Sequence, residues 1–162
     1  MPTSLPRRSV QRIMKHVERY KKGGFGMKYA VRFYTRSGNT KKLANAVAKT
    51  ASVEAKDVTV PLDEKVDILF LGCSYYAFDV DEAVKKFIVE NKDNIGKIVC
   101  FGTSAMMKSM KKPVSKVADT VGVAVALEEF RCRGQFGKIH KNRPNAADLE
   151  EISAFTKKIM SE

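Results

Sequence analysis

From Lys28 onward the chain alternates between short apolar runs and segments whose apolar residues recur every three or four positions. Tyr29 to Tyr34 reads as a strand, Thr35 to Asn39 as a polar turn, and Leu43, Ala44, Val47 and Ala48 as one face of a helix. Within Ser52 to Val60, the alternation of Val53 and Ala55 predicts an edge strand that stops before Pro61. Val66 to Cys73 is apolar at nearly every position except Asp67, the pattern of a central strand covered on both faces. The spacing from Asp79 to Glu82 suits a helix start, and Ala83, Val84, Phe87 and Ile88 carry that helix to about Asn91. Lys97 to Gly102 forms the next buried strand. A helix opening at Pro113 and stopping at Gly122 leads to a last strand over Val123 to Phe130. After a long polar connection, Asn145 caps a closing helix to Met160, with Leu149, Ile152, Phe155, Thr156 and Ile159 on one side.

Strands that alternate with helices imply an α/β fold: a doubly wound, open five-stranded parallel sheet with helices on both faces. Only about nine residues separate the second and third strands, so the second crossover helix is short or missing. Ligands of such sheets bind outside the carboxyl ends of the strands, where the winding direction reverses. The segments after strands one, three and four are therefore where chemistry is expected.

The first of these segments reads Thr35-Arg36-Ser37-Gly38-Asn39-Thr40, immediately before a helix. Three hydroxyls, an amide side chain and a glycine at a helix N-terminus suit a phosphate dianion, which the backbone N–H groups and the helix dipole both favour. Simple capping by Asn39 or Ser37 is the competing reading. This hexapeptide resembles the phosphate loop of the flavodoxin family, Ser/Thr-x-Ser/Thr-Gly-Asn-Thr, at all five defined positions, and the order of strands and helices agrees over roughly Met27 to Ile159. The resemblance implies a flavodoxin-like sheet of order 2-1-3-4-5 and FMN as the cofactor. It places the flavin ring between Ser74-Tyr75-Tyr76-Ala77-Phe78 and Thr103-Ser104-Ala105-Met106-Met107. Tyr76 is the expected stacking face, with Tyr75 or Phe78 next; the alternative is that Tyr75 or Phe78 packs the top of the sheet.

Charge changes this picture. The net charge is +12, half of it within residues 1–26, whereas electron-carrying flavodoxins are strongly acidic. A cationic surround predicts a less negative low-potential couple for a bound flavin. The loop after strand three also lacks the glycine that carriers place beside the ring, so the one-electron reduced form is expected to accumulate less; Ala77 adopts a left-handed backbone only at a cost of about 1–2 kcal/mol. Arg36, Lys41 and Lys42 flank the phosphate loop, either as a solvated face or as added attraction, and Arg131 and Arg133 fall just past strand five.

The leading functional expectation is an FMN-binding redox protein that exchanges electrons with partner proteins or small acceptors, acidic ones suiting the charge. The alternative is an FMN-dependent oxidoreductase, such as an NAD(P)H:quinone reductase or a flavodoxin-type protoporphyrinogen oxidase. A response-regulator receiver is disfavoured, since Thr35 and Ser74 stand where acidic groups would be needed. The basic residues form no nucleic-acid-binding motif, and neither G-x-G-x-x-G nor a P-loop follows the first strand. No apolar run is long enough to span a bilayer. Cys73, Cys100 and Cys132 form no metal or disulfide pattern, and read as buried thiols of a reducing cytoplasm.

Residues 1–26 form a basic extension outside the FMN-binding domain of residues 27–162, with Val10, Ile13, Met14 and Val17 at helical spacing. A membrane or nucleic-acid arm, a transit peptide and a tail without a role all fit. A further expectation is that Gly23-Gly24 reflects a purine-rich ribosome-binding sequence and that translation begins at Met27.

Overall fold

The computed structural model describes residues 10–11, 26–74, 79–104, 109–135 and 138–162. The expectations for the basic extension, Tyr75, Tyr76, Ala77, Phe78, Ala105, Met106 and Met107 lie outside the described residues.

Five parallel strands form one sheet, β1 (Tyr29–Phe33), β2 (Ala55–Asp57), β3 (Val66–Ser74), β4 (Ile95–Thr103) and β5 (Ala124–Cys132), in the order β2-β1-β3-β4-β5. The α-helices packed on the sheet among the described residues are α1 (Asn39–Ala51), α2 (Glu82–Glu90), α3 (Lys111–Thr120) and α4 (Ala146–Ser161). The strand period of two divides the core. Tyr29, Val31, Phe33, Phe70 and Phe101 pack with Leu43 and Val47 of α1 and Ile152 and Ile159 of α4. Ala30, Leu69, Leu71 and Ile98 meet Val84, Phe87 and Ile88 of α2 and Val114 and Ala118 of α3 on the opposite face. Burying each large side chain such as Phe70 or Leu71 contributes about 1.5–3 kcal/mol, which fixes the register and so the position of every strand end.

No helix joins β2 to β3. Val58 and Leu62 of the connecting loop enter the core instead. Arg32, buried in β1, donates to the carbonyls of Val60 (2.8 Å) and Pro61 (2.9 Å), and Asn91 accepts from the Leu62 N–H at 2.9 Å. The guanidinium thus hydrogen-bonds carbonyls on the face where a crossover helix would lie, and burial lowers its pKa.

Several boundaries differ from the sequence reading. The N-cap of α2 is Asp81, whose carboxylate accepts from the Ala83 N–H, while Asp79 pairs with Lys85 at 2.7 Å. α3 opens at Lys111, so Pro113 sits within its first turn, where a missing N–H costs little. β5 runs on to Cys132, which places Arg131 inside the strand rather than past it. The β4–β5 register shifts between Ile98 and Cys100, and Leu127, on the β5 stretch opposite, is 81% exposed.

Candidate functional site

At the carboxyl edge, β1 and β3 are neighbours whose crossovers run to opposite sides, and the segment Thr35 to Gly38 joins β1 to α1 in that crevice. Gly38 is the N-cap of α1 with φ of 89°, in the left-handed region, and has no atom within 4 Å of where a Cβ would stand. Its N–H donates to Thr35 Oγ1 at 2.9 Å, which folds the loop back on itself. Asn39 is the first helical residue and not a cap; its side-chain amide donates to the Gln135 carbonyl at 3.1 Å. The competing reading, simple capping by Asn39 or Ser37, is not what the loop does: the cap position is occupied by a glycine with no side chain to offer.

The other three helices start differently. Asp81 serves α2 and Asn145 serves α4, the latter in a capping box with Asp148. The α3 N-terminus is covered from another strand, since Glu129 of β5 accepts from the Lys111 N–H at 3.1 Å and from the Ser109 hydroxyl at 2.6 Å. Among the described residues no side-chain acceptor meets the N–H groups of Asn39, Thr40 or Lys41, and the first turn of α1 holds no acidic residue. Those donors and the positive end of the helix dipole face the sheet's switch point. The donor set fits a phosphate: unclaimed amides, an exposed Ser37 and half-buried Thr35 and Gly38.

Thr40 is fully buried, with its hydroxyl 2.8 Å from that of Ser74 at the end of β3. Ser74 in turn lies 3.4 Å from the Thr103 hydroxyl at the end of β4, as their paired register requires. Ser104 is buried, and its N–H donates to the Cys132 carbonyl at 3.1 Å. Thr35 to Thr40, Ser74, Thr103 and Ser104 thus converge on one edge.

Arg36 is exposed, and its guanidinium donates to Asp81 at 2.8 Å. That bond, with a further one to Tyr34, raises the Arg36 pKa; the Asp81 carboxyl is held down by the Ala83 N–H first and then by Arg36. Of the two readings of these cations, a solvated face or added attraction, the exposed and carboxylate-paired Arg36 fits the first. Lys41 and Lys42 are exposed. Arg133 reaches the His140 ring at 3.2 Å, and Arg131 lies 3.5 Å from Glu129. All three thiols are buried, and burial pushes Cys73 and Cys132 up to about 12, so neither carries reactive thiolate.

Sequence reasoning missed Gly134 and Gln135. A Cβ on Gly134 would stand 2.9 Å from Thr103 Cβ and 3.1 Å from Asn39 Nδ2, so only glycine lets the β5–α4 connection lie against the loop. The glycine in Arg133-Gly134-Gln135 was the available signal, and it meant little without the contact. Among the described residues no cluster of ligating side chains suits a metal ion, and no helix is long and apolar enough to cross a membrane.

No protein-family model matches the chain. An uncharacterised protein of Methanocaldococcus jannaschii is 26% identical over an alignment of 136 residues, and the match covers 75% of this chain and 90% of the relative. A flavodoxin from the domain Archaea superposes with a TM-score of 0.68 at 20% identity, over 83% of this chain and 97% of that one. A flavoprotein of Lactobacillus acidophilus NCFM, solved in complex with FMN, gives a TM-score of 0.54 at 16% identity, over 65% and 93% of the two chains. With its sheet order and these superpositions, the chain has the flavodoxin-like fold.

Proposed function

We propose that this protein binds FMN and mediates electron transfer, with the FMN phosphate seated on the loop from Thr35 to Thr40. The observation that carries the reading is the start of α1. It opens on a left-handed glycine, its first amides have no side-chain acceptor among the described residues, and it lies at the switch point of a flavodoxin-like sheet. Thr35, Arg36, Ser37, Gly38, Asn39 and Thr40 form the phosphate end of the site. Ser74, Tyr75, Tyr76, Ala77 and Phe78, together with Thr103, Ser104 and Ala105, form the ring end. The likeness to a flavoprotein solved with FMN supports the cofactor, and the phosphate-loop motif supports FMN over riboflavin.

Bound FMN supplies chemistry for one or two electrons; the protein supplies binding, orientation and a surrounding charge. Gly38 allows close backbone approach, Thr35 fixes the loop by accepting from the Gly38 N–H, and the cationic surface suits acidic partners or anionic acceptors. Titration of the purified protein with FMN and with riboflavin tests the reading. A yellow complex with one FMN per chain and markedly weaker riboflavin binding is expected. A protein that takes up neither would end it. Steady-state NAD(P)H oxidation in the presence of quinones separates a carrier, which shows none, from an oxidoreductase.

A further inference from the structure

The inner faces of α1 and α4 meet in the core through Leu43, Val47, Ile152 and Ile159, and their solvent faces leave a groove of about 550 Å³ between them. On the α1 wall Lys42 and Lys49 stand seven residues apart, two turns of helix or about 10.5 Å along the axis. On the α4 wall Glu150 and Lys157 repeat that spacing. The half-buried floor is made by Ala46, Leu149 and Ser153. The Ser153 hydroxyl donates to the Leu149 carbonyl of its own helix at 2.8 Å, so the floor presents methyl and methylene groups.

Charge is distributed unevenly around this groove. α2 balances its own lysines, Lys85 against Asp79 and Glu82 and Lys86 against Glu90. α1 contains three lysines and no acidic residue. Among the described residues no carboxylate lies within ion-pair distance of Lys42, Lys49 or Lys157. Three lysines against Glu150 leave the lining positive. An apolar floor between cationic walls complements a helix with small apolar residues on one face and carboxylates flanking them, spaced two turns apart. Residues 1–26 carry seven Lys and Arg against one Glu, and residues 27–162 are also net positive, so neither the chain's own extension nor a second copy complements the charge. The lining holds no aromatic ring and no arginine on which the bases of a nucleic acid would stack.

We propose that the α1–α4 groove docks an acidic amphipathic helix of a partner protein. Lys42, at its near end, follows Thr40 by two residues, so the partner lies alongside α1 and next to the proposed phosphate loop. The proposal rests on the electron-transfer reading for the partner's purpose, whereas docking itself needs no cofactor.

Fluorescence anisotropy on the full chain tests it, with a labelled synthetic helix of Ala, Leu and Glu as the probe, its Glu residues recurring at i and i+7. The wild type should bind, less tightly as salt rises. Lys49→Glu combined with Lys157→Glu should weaken binding by roughly tenfold, since an exposed ion pair is worth up to about fivefold and reversal adds repulsion. Lys112→Glu with Lys116→Glu on α3, across the sheet, changes the net charge equally and should cost less than about twofold. All four lysines are exposed, so the fold is retained. Ala154→Gln, exposed on the α4 wall, narrows the groove without altering charge and should weaken binding severalfold. Equal weakening in the two double variants would reduce the effect to net charge and overturn the proposal, as would no binding by the wild type or an unaltered affinity in Ala154→Gln. Tighter groove-dependent binding of single-stranded oligouridylate would assign the groove to nucleic acid, and groove-dependent dimerisation in sedimentation would assign it to a second copy; either overturns the proposal. FMN titration keeps the two readings apart, since the Lys49 and Lys157 double variant should hold FMN within about twofold of the wild type. A wild type that binds the helix but no FMN sustains the groove and removes the cofactor reading, and one that binds FMN but no helix does the reverse.

Discussion

Gly38 shows what one residue decides at this edge. With φ of 89° and open space around its missing Cβ, the position opposes a side chain through backbone strain alone. Gly38→Ala should lower stability by about 1–2 kcal/mol, a fall in Tm of roughly 2–8 °C by circular dichroism. Asp148 makes a second test. Burial raises its pKa, but the Arg143 guanidinium and the Asn145 N–H outweigh that and hold it below the usual carboxylate value. A carboxyl whose folded pKa is depressed contributes stability above its unfolded pKa, near 4, and loses it as pH falls through the folded value. Asp148→Asn should therefore be less stable than wild type at pH 7, by about 2 kcal/mol, and the two should converge in acid; denaturant midpoints at both ends of the range measure this. Residue-scale legibility was uneven. Thr40, Ser74 and Thr103 stood out by type and position, whereas Gly134 and Glu129 matter because of what packs against them.

The crossover from β2 to β3 is the element where the chain departs most from a regular winding. The short spacing made the missing helix visible in advance. The means of replacing it was hidden, because a lone arginine in a strand gives no sign that it will bond carbonyls some thirty residues away. Arg32→Met should destabilise the fold by about 1–3 kcal/mol and raise exchange first at Leu62, whose N–H bonds Asn91. A variant that loosens all strands equally would show that Arg32 serves general packing. The start of α3 carries the same lesson, since its acceptor, Glu129, comes from the following strand. Local spacing reveals caps supplied within the same turn, as at Asn145, and is blind to caps supplied from elsewhere.

At the scale of the molecule, residues 27–162 carry a net charge of +6, and Arg36 is offset by Asp81. If FMN occupies the proposed site, one unit charge about 10 Å from the ring contributes roughly 1.7 kcal/mol at an effective dielectric of about 20, on the order of 70 mV for one electron. The low-potential couple should be correspondingly less negative than in acidic flavodoxins, and Lys42→Glu should shift it downward; potentiometric titration reads both. The sequence by itself determined the alternation of strands and helices, the class of sheet and the hexapeptide before α1, because periodicity and turn chemistry are local properties of the chain. Tertiary structure decided which hydroxyls face inward, which carboxylate meets which helix and where Gly134 must be glycine. Those depend on groups far apart in sequence being brought within bonding distance, and only the register of the packed sheet sets that distance.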